Sequence, residues 1–112
     1  MGKMSRDKGK RGERDWALFC RGQGYDCRRT SQYCGKSGDA SDVVGLPGIH
    51  IEVKRTERLD LYGAVFQAQR DAKPGTLPIV AHRRNDREWL VVMNAEDWFE
   101  LFRAWEAAHD NK

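Results

Sequence analysis

The chain has 112 residues, 39% hydrophobic and 33% charged, with a formal net charge of +3. That length suits one domain with a single packed core, and the composition suits a globular protein. No apolar run approaches the ~20 residues that span a bilayer, and the N-terminus, charged from Lys3 onward, lacks the apolar stretch of a signal peptide. A cytoplasmic protein with no membrane association is therefore expected.

Charge is unevenly spread. Residues 94–112 carry Glu96, Asp97, Glu100, Glu106 and Asp110 against Arg103 and Lys112, so the rest of the chain is strongly basic. The first fourteen residues hold Lys3, Arg6, Lys8, Lys10, Arg11 and Arg14 against Asp7 and Glu13. On charge alone, such an arm fits phosphate contacts and a solvated tail equally well. Cys20, Cys27 and Cys34 are too far apart for a CxxC element, and His50, His82 and His109 are scattered. No zinc site is expected; free thiols in a reducing compartment are. Cys20 and Cys27 read as core positions, and Cys34 as part of a polar loop.

In chain order, residues 1–7 are expected to form a disordered basic arm, and 8–112 a single domain. A first helix is predicted from about Lys10 to Arg21, with Trp16, Phe19 and Cys20 facing the core and Gly22 and Gly24 ending it. Residues 25–30 alternate as a strand, with Tyr25 and Cys27 on one face. The polar, glycine-rich run 31–40 is a loop. A second short strand begins at Asp42-Val43-Val44, and Leu46-Pro47-Gly48 is a tight turn. A third strand over 49–54 puts Ile49, Ile51 and Val53 on one side and His50, Glu52 and Lys54 on the other.

A second helix is predicted from about Asp60, its cap, to Ala72, with a stripe of Leu61, Ala64, Val65 and Ala68, ended by Pro74-Gly75. Residues 78–83 and 88–93 form a hairpin around Arg84–Arg87. The last helix starts at the Asn94 cap with Asp97 three residues on, and Trp98, Leu101, Phe102 and Trp105 form its buried stripe. The order αβββαββα predicts an α/β fold: a mixed β-sheet of about five strands flanked by helices, with a parallel crossover between the third and fourth strands.

An acid-x-Lys triplet is a weak signal, since chance supplies roughly one in a chain of this composition. Three occur: Glu52-Val53-Lys54, Asp71-Ala72-Lys73 and Asp110-Asn111-Lys112. Only the first lies on a predicted strand, where the period of two puts Glu52 and Lys54 on one face. Asp42 lies ten residues upstream, across a tight turn that lets the two strands lie side by side. Carboxylates brought together repel unless a cation joins them, and hard oxygen ligands favour Mg²⁺, with Mn²⁺ as a substitute, over zinc. Such a cation polarises a phosphoryl oxygen and acidifies bound water, and Lys54 stands where it can orient that water or stabilise added negative charge. The alternative on spacing alone is a surface strand with an ordinary cross-strand ion pair.

The stretch from Lys8 to Lys54 resembles the PD-(D/E)XK nuclease superfamily, and is most similar to archaeal-type Holliday-junction resolvases and their phage relatives. The residues that carry the resemblance are the basic Lys8-Gly9-Lys10-Arg11-Gly12-Glu13 segment, Arg28-Arg29 on a strand, Ser37-Gly38 in a loop, Asp42, and Glu52-Val53-Lys54. Ser41 stands where the family name has proline. The resemblance implies a restriction-endonuclease-like fold and a Mg²⁺-dependent endonuclease, prokaryotic or phage-encoded. It implies Asp42, Glu52 and the Val53 main-chain carbonyl as metal ligands, Glu13 as a ligand directly or through water, and Lys54 serving the nucleophile. Ser37 and Gln67 would be supporting residues. His50, two residues before Glu52, reads as a rim histidine or a group behind the ligand.

Lys8, Lys10, Arg11, Arg28, Arg29, Arg55 and Arg58 surround the expected centre and suit contacts to DNA phosphates, which carry no sequence information. A structure-selective enzyme is therefore expected, and the resemblance implies branched DNA as its substrate and the resolution of four-way junctions as its reaction. The alternatives are a nuclease for nicks, flaps or duplex DNA, and a catalytically inactive DNA-binding module of the same fold. A junction needs two symmetric cuts, so a homodimer is expected, and some of the four tryptophans and four phenylalanines are candidates for its interface.

Overall fold

A computed structural model of the protein describes residues 2–30 and 41–110, with side chains from residue 9 onward. The loop expected over 31–40, including Ser37 and Cys34, lies outside the described residues, as does the Lys8 side chain. The described residues form α1 (Gly2–Gly22), β1 (Arg28–Arg29), β2 (Val43–Val44), β3 (Ile49–Arg55), α2 (Leu61–Asp71), β4 (Leu77–Arg83), β5 (Leu90–Val92) and α3 (Ala95–Ala108). The architecture is mixed α/β, in the expected element order.

The centre is a three-stranded sheet in the order β3-β4-β5. β3 and β4 are parallel, in register from Ile49 opposite Leu77 to Arg55 opposite Arg83, with α2 as the crossover. β5 returns antiparallel, with Ala81 opposite Val91. One face carries Ile51, Ile79 and Ala81, packed with Trp16, Ala17 and Cys20 of α1 and with Cys27 and Val43. The other face packs Val80 on Ala64 and Ala68 of α2. A strand covered on both faces normally reads as a continuous apolar run. β3 departs from that rule, burying His50 and Glu52 beside Ile51.

The expected five-stranded sheet is divided in two. β1 and β2 pair antiparallel as a separate ribbon, with Arg28 opposite Val44. The reason lies on the edge of β3 that faces away from β4. Asp42 N–H donates to the Ile51 carbonyl at 2.8 Å, but the next bonds to β3 come from side chains. Ile51 N–H donates to Ser41 Oγ at 3.1 Å, and Val53 N–H donates to Asp42 Oδ2 at 2.7 Å. Side-chain oxygens replace the carbonyls of a ladder, so main-chain pairing does not continue.

Other boundaries moved for local reasons. α1 begins at Gly2 rather than near Lys10, so residues 2–7, expected as a disordered arm, continue the helix; the segment has no proline and is rich in lysine and arginine, which favour helices. Residues 25–27 leave α1 in a turn, with Tyr25 N–H bonded back to the Cys20 carbonyl and Cys27 N–H to that of Tyr25. Only Arg28–Arg29 is then a strand, and Tyr25 is exposed while Cys27 is buried. Phe19 is partly exposed and stacks on Trp16, and Ala17 takes the core position instead. Leu61 is likewise exposed at the start of α2. Asp60 does cap that helix, accepting from Gly63 N–H, and Asn94 caps α3, accepting from Asp97 N–H. The largest departure is α3 itself: none of its residues is buried.

Two glycines fix how α1 and the β2–β3 turn approach the sheet. A Cβ at Gly12 would lie 2.6 Å from the Arg55 Cβ, so α1 crosses β3 at a residue that has no side chain. Gly45 has φ +130°, and a Cβ there would meet the Cys27 main chain at 2.6 Å. In a helix interior alanine is worth about 1 kcal/mol over glycine. Gly9, with nothing within 4 Å of its would-be Cβ, should follow that rule. Gly9→Ala is expected to raise, and Gly12→Ala to lower, the free energy of unfolding in urea titrations; equal effects at both positions would contradict the close crossing.

Candidate active site

The α2-facing side of β3 presents His50, Glu52 and Lys54 in alternation, as the period of two requires. Glu52 is only 2% exposed. Its Oε2 lies 3.0 Å from His50 Nε2, and its Oε1 accepts from Gln67 Nε2 on α2 at 3.3 Å. The same Gln67 accepts from Lys54 Nζ through its Oε1 at 3.0 Å. One amide thus bridges the carboxylate and the ammonium two residues apart on β3, and prevents Lys54 from simply collapsing onto Glu52.

Asp42 comes in from the side. Its main-chain N–H and one carboxylate oxygen are both tied to β3, at Ile51 and Val53. In a strand the N–H and C=O of one residue leave the same edge, so the Val53 carbonyl also faces the Asp42 edge. Glu13 arrives on α1, one residue after the Gly12 crossing. Its Oε1 accepts from Arg29 Nε at 2.9 Å, and its charge reaches both Asp42 and Glu52. Glu13, Asp42, Glu52, Lys54 and Gln67, spread over 55 positions, are therefore neighbours in space.

Burial, then the charges of Glu52 and Glu13, push the Asp42 carboxyl up to about 7, against the Val53 hydrogen bond and Lys54, which pull it down. Burial, then Asp71 and Glu13, push Glu52 up to about 7, against Lys54 and a hydrogen bond with Asp42. Two crowded carboxyls of this kind titrate as a unit, and near neutrality they retain a proton that an isolated carboxylate would have lost.

Ser41 and His50 were the least legible members. His50, read as a rim histidine or a group behind the ligand, is buried at 3% exposure, and its Nδ1 lies 2.9 Å from Ser41 Oγ. With Glu52 ionised, one assignment serves these bonds together. Ile51 N–H donates to Ser41 Oγ, Ser41 O–H donates to His50 Nδ1, and His50 Nε2–H donates to Glu52. The sequence signal was there: Ser41 precedes Asp42, and His50 shares the face of Glu52. Asp71, whose triplet lies off the predicted strands, acts on Glu52 through its charge.

The basic residues divide. Lys10, Arg11, Arg28 and Arg58 are exposed. Arg29 and Arg55, expected to serve phosphates, are turned to protein acceptors: Arg29 to Glu13, and Arg55 to Asn85 Oδ1 at 2.9 Å and Asp15 at 3.7 Å. Among the described residues, no group of three or more His, Cys, Asp or Glu side chains comes together in a way that could hold a metal ion. Compared with protein-family models, curated proteins and solved structures, the chain has no match in any of the three.

The raised carboxyls make a pH prediction. Both folded values lie above the ordinary 3.8 and 4.5, so the folded protein holds protons that the unfolded chain releases first. Their contribution to stability is complete below about pH 4 and is lost as pH rises through about 7. In metal-free buffer this contribution to the melting temperature is expected to fall as pH rises from about 4 to about 7, the interval between the unfolded and folded values, and Asp42→Asn should flatten that slope. A wild-type slope unchanged by the substitution would contradict the crowding.

Proposed function

We propose that this protein is a Mg²⁺-dependent endodeoxyribonuclease that hydrolyses phosphodiester bonds in branched DNA, with four-way junctions as its substrate. The observation that carries the reading is the cluster of Asp42, Glu52 and Lys54, in which Gln67 joins Glu52 to Lys54 and Asp42 is held against β3 at Val53. An ordinary surface ion pair, the alternative on spacing, does not bury a glutamate or hold a second carboxyl against it. The crowding in this pair is of the kind that a divalent cation relieves. Junction selectivity and the restriction-endonuclease-like fold rest on the resemblance of the Lys8–Lys54 motifs.

The donors fit magnesium better than zinc. They are all oxygens, and only two carboxylates converge, with Glu13 engaged by Arg29. Mg²⁺ commonly takes one or two carboxylates and keeps several waters. Asp42, Glu52 and the Val53 carbonyl would hold it, with Glu13 acting through water. A bound Mg²⁺ supplies a Lewis acid and an acidified water. Lys54, held by Gln67, offers its ammonium to the attacking water or to the extra charge on phosphorus as one P–O bond forms and another breaks. His50 and Gln67 fix the Glu52 carboxylate by a hydrogen bond to each oxygen. The exposed Lys10, Arg11, Arg28 and Arg58 hold backbone phosphates, and DNA binding should weaken steeply with salt.

Cleavage of a four-way junction, set beside flapped and linear duplexes in Mg²⁺ or Mn²⁺, tests the activity. The junction is expected to be cut fastest; equal rates on all three would remove junction selectivity and leave a general nuclease. Asp42→Asn and Glu52→Gln should abolish cleavage while gel-shift binding persists. Lys54→Ala should slow cleavage on the order of a hundredfold with cation affinity little changed. Binding without cleavage of any substrate would mean a DNA-binding module.

Cation binding has its own readout. Because the cation displaces protons from the pair, Mg²⁺ or Mn²⁺ is expected to raise the melting temperature more at pH 8 than at pH 5.5, values set roughly either side of the pair's titration. Asp42→Asn should remove that increment; an undiminished increment would place the cation elsewhere.

A further inference from the structure

We propose that α3 is a dimerisation helix, whose aromatic face docks on the same face of a second copy of this chain. The proposal stands independently of the nuclease reading. α3 runs for 14 residues and buries none of them. A helix of that length is marginal in water by itself, and most helices in proteins are held by packing an apolar face. The apolar face here is present but left uncovered by the other described residues. Trp98, Phe99, Leu101 and Trp105 are 43–56% exposed, and Trp98, Leu101, Phe102 and Trp105 line one shallow cavity along the helix. The rings already stack along the helix, Trp98 on Phe102 and Phe102 on Trp105. Such stacking lines up the face without removing it from water.

The identity of the occupant follows from charge, symmetry and area. The helix also carries Glu96, Asp97, Glu100 and Glu106 against Arg103 alone. That charge repels nucleic-acid phosphates and anionic lipid head groups, and because a second copy carries the same acids, the attraction to a protein partner must come from the apolar stripe. The apolar stripe is self-complementary: Trp98 and Trp105 flank Leu101 and Phe102, so a two-fold axis across the middle of the helix lays each half of the stripe on the other half of its copy. Such an isologous contact closes as a dimer.

The area also fits. With aromatic side chains worth 150–250 Å² each, the half-exposed rings and Leu101 offer roughly 400 Å² of apolar surface. A standard interface takes about 800 Å² from each partner, of which about 65% is apolar in homodimers. The stripe supplies most of that requirement.

Sedimentation velocity over a wide concentration range, with near-UV circular dichroism as a check on the core, tests the proposal. Wild type is expected to sediment as a dimer that dissociates only on dilution. Leu101→Glu and Trp105→Glu should each give monomer, with Leu101→Met remaining dimeric. Because α3 buries nothing in the core, both glutamate variants should keep the signal of the Trp16–Trp89 edge contact. A wild-type monomer at the highest concentrations would overturn the proposal, as would a dimer that persists in both glutamate variants. Equal loss of dimer in Leu101→Met would also overturn it, by showing that the stripe does not discriminate apolar from charged.

Discussion

The candidate site depends on how the free edge of β3 is satisfied. Ile51 and Val53 turn their N–H groups away from β4, and buried backbone donors left without acceptors cost free energy comparable to a lost hydrogen bond. Serine and aspartate side chains meet them, Ser41 at Ile51 and Asp42 at Val53. This arrangement stops the sheet from growing into five strands. It also fixes a carboxylate against β3 beside Glu52, and it orients the serine that reaches His50. The interruption of the sheet and the assembly of the site are one structural event.

The cost falls on the carboxyls. Asp42 spends one oxygen on a backbone donor and sits in the field of Glu52 and Glu13, largely removed from water. Glu52 is enclosed by His50 and Gln67 and faces Asp71 as well as Lys54. A protein selected only for stability gains little from such a cluster, because apolar residues would serve the β3–α2 contact at lower cost. Perturbed carboxyls cluster at functional sites, although structural ion-pair networks also perturb them, and the proposed cation site is built on this pair. Meanwhile the core that supports them is small, built on Trp16, Cys27, Val43, Ile51 and Ile79 on one face and little more than Val80 with two alanines on the other. Several aromatic residues stay outside it, Tyr62 and Phe66 exposed on α2 and Trp98, Phe99 and Trp105 exposed on α3.

Much of this was legible in the chain. The element order, the parallel crossover, the hairpin and the caps at Asp60 and Asn94 follow from local rules of periodicity and capping, which act over a few residues. So does the common face of His50, Glu52 and Lys54. The approach of Asp42 followed from the short turn between β2 and β3. What failed did so where the outcome depended on distant partners. The apolar stripe of α3 is as regular as that of a buried helix, and periodicity reports which residues share a face without reporting what covers it. Tyr25 alternated with Cys27 as in a strand, yet main-chain bonds back to α1 held it in a turn.

The sequence by itself determined that Glu52 and Lys54 share a face, that Asp42 lies within reach, and that the N-terminal half is basic, because these depend on spacing and composition. Only the tertiary structure decided that Gln67 joins Glu52 to Lys54, that Ser41 and His50 stand behind the carboxylate, that Arg29 serves Glu13, and that α3 is left uncovered. Apart from the bond between His50 and Glu52, which share β3, each of those contacts links residues from separate parts of the chain. Side-chain hydrogen bonds act over about 3 Å, whereas the chain separating their partners is long enough to reach many other arrangements. Packing α1 and α2 on opposite faces of one short sheet selects among them.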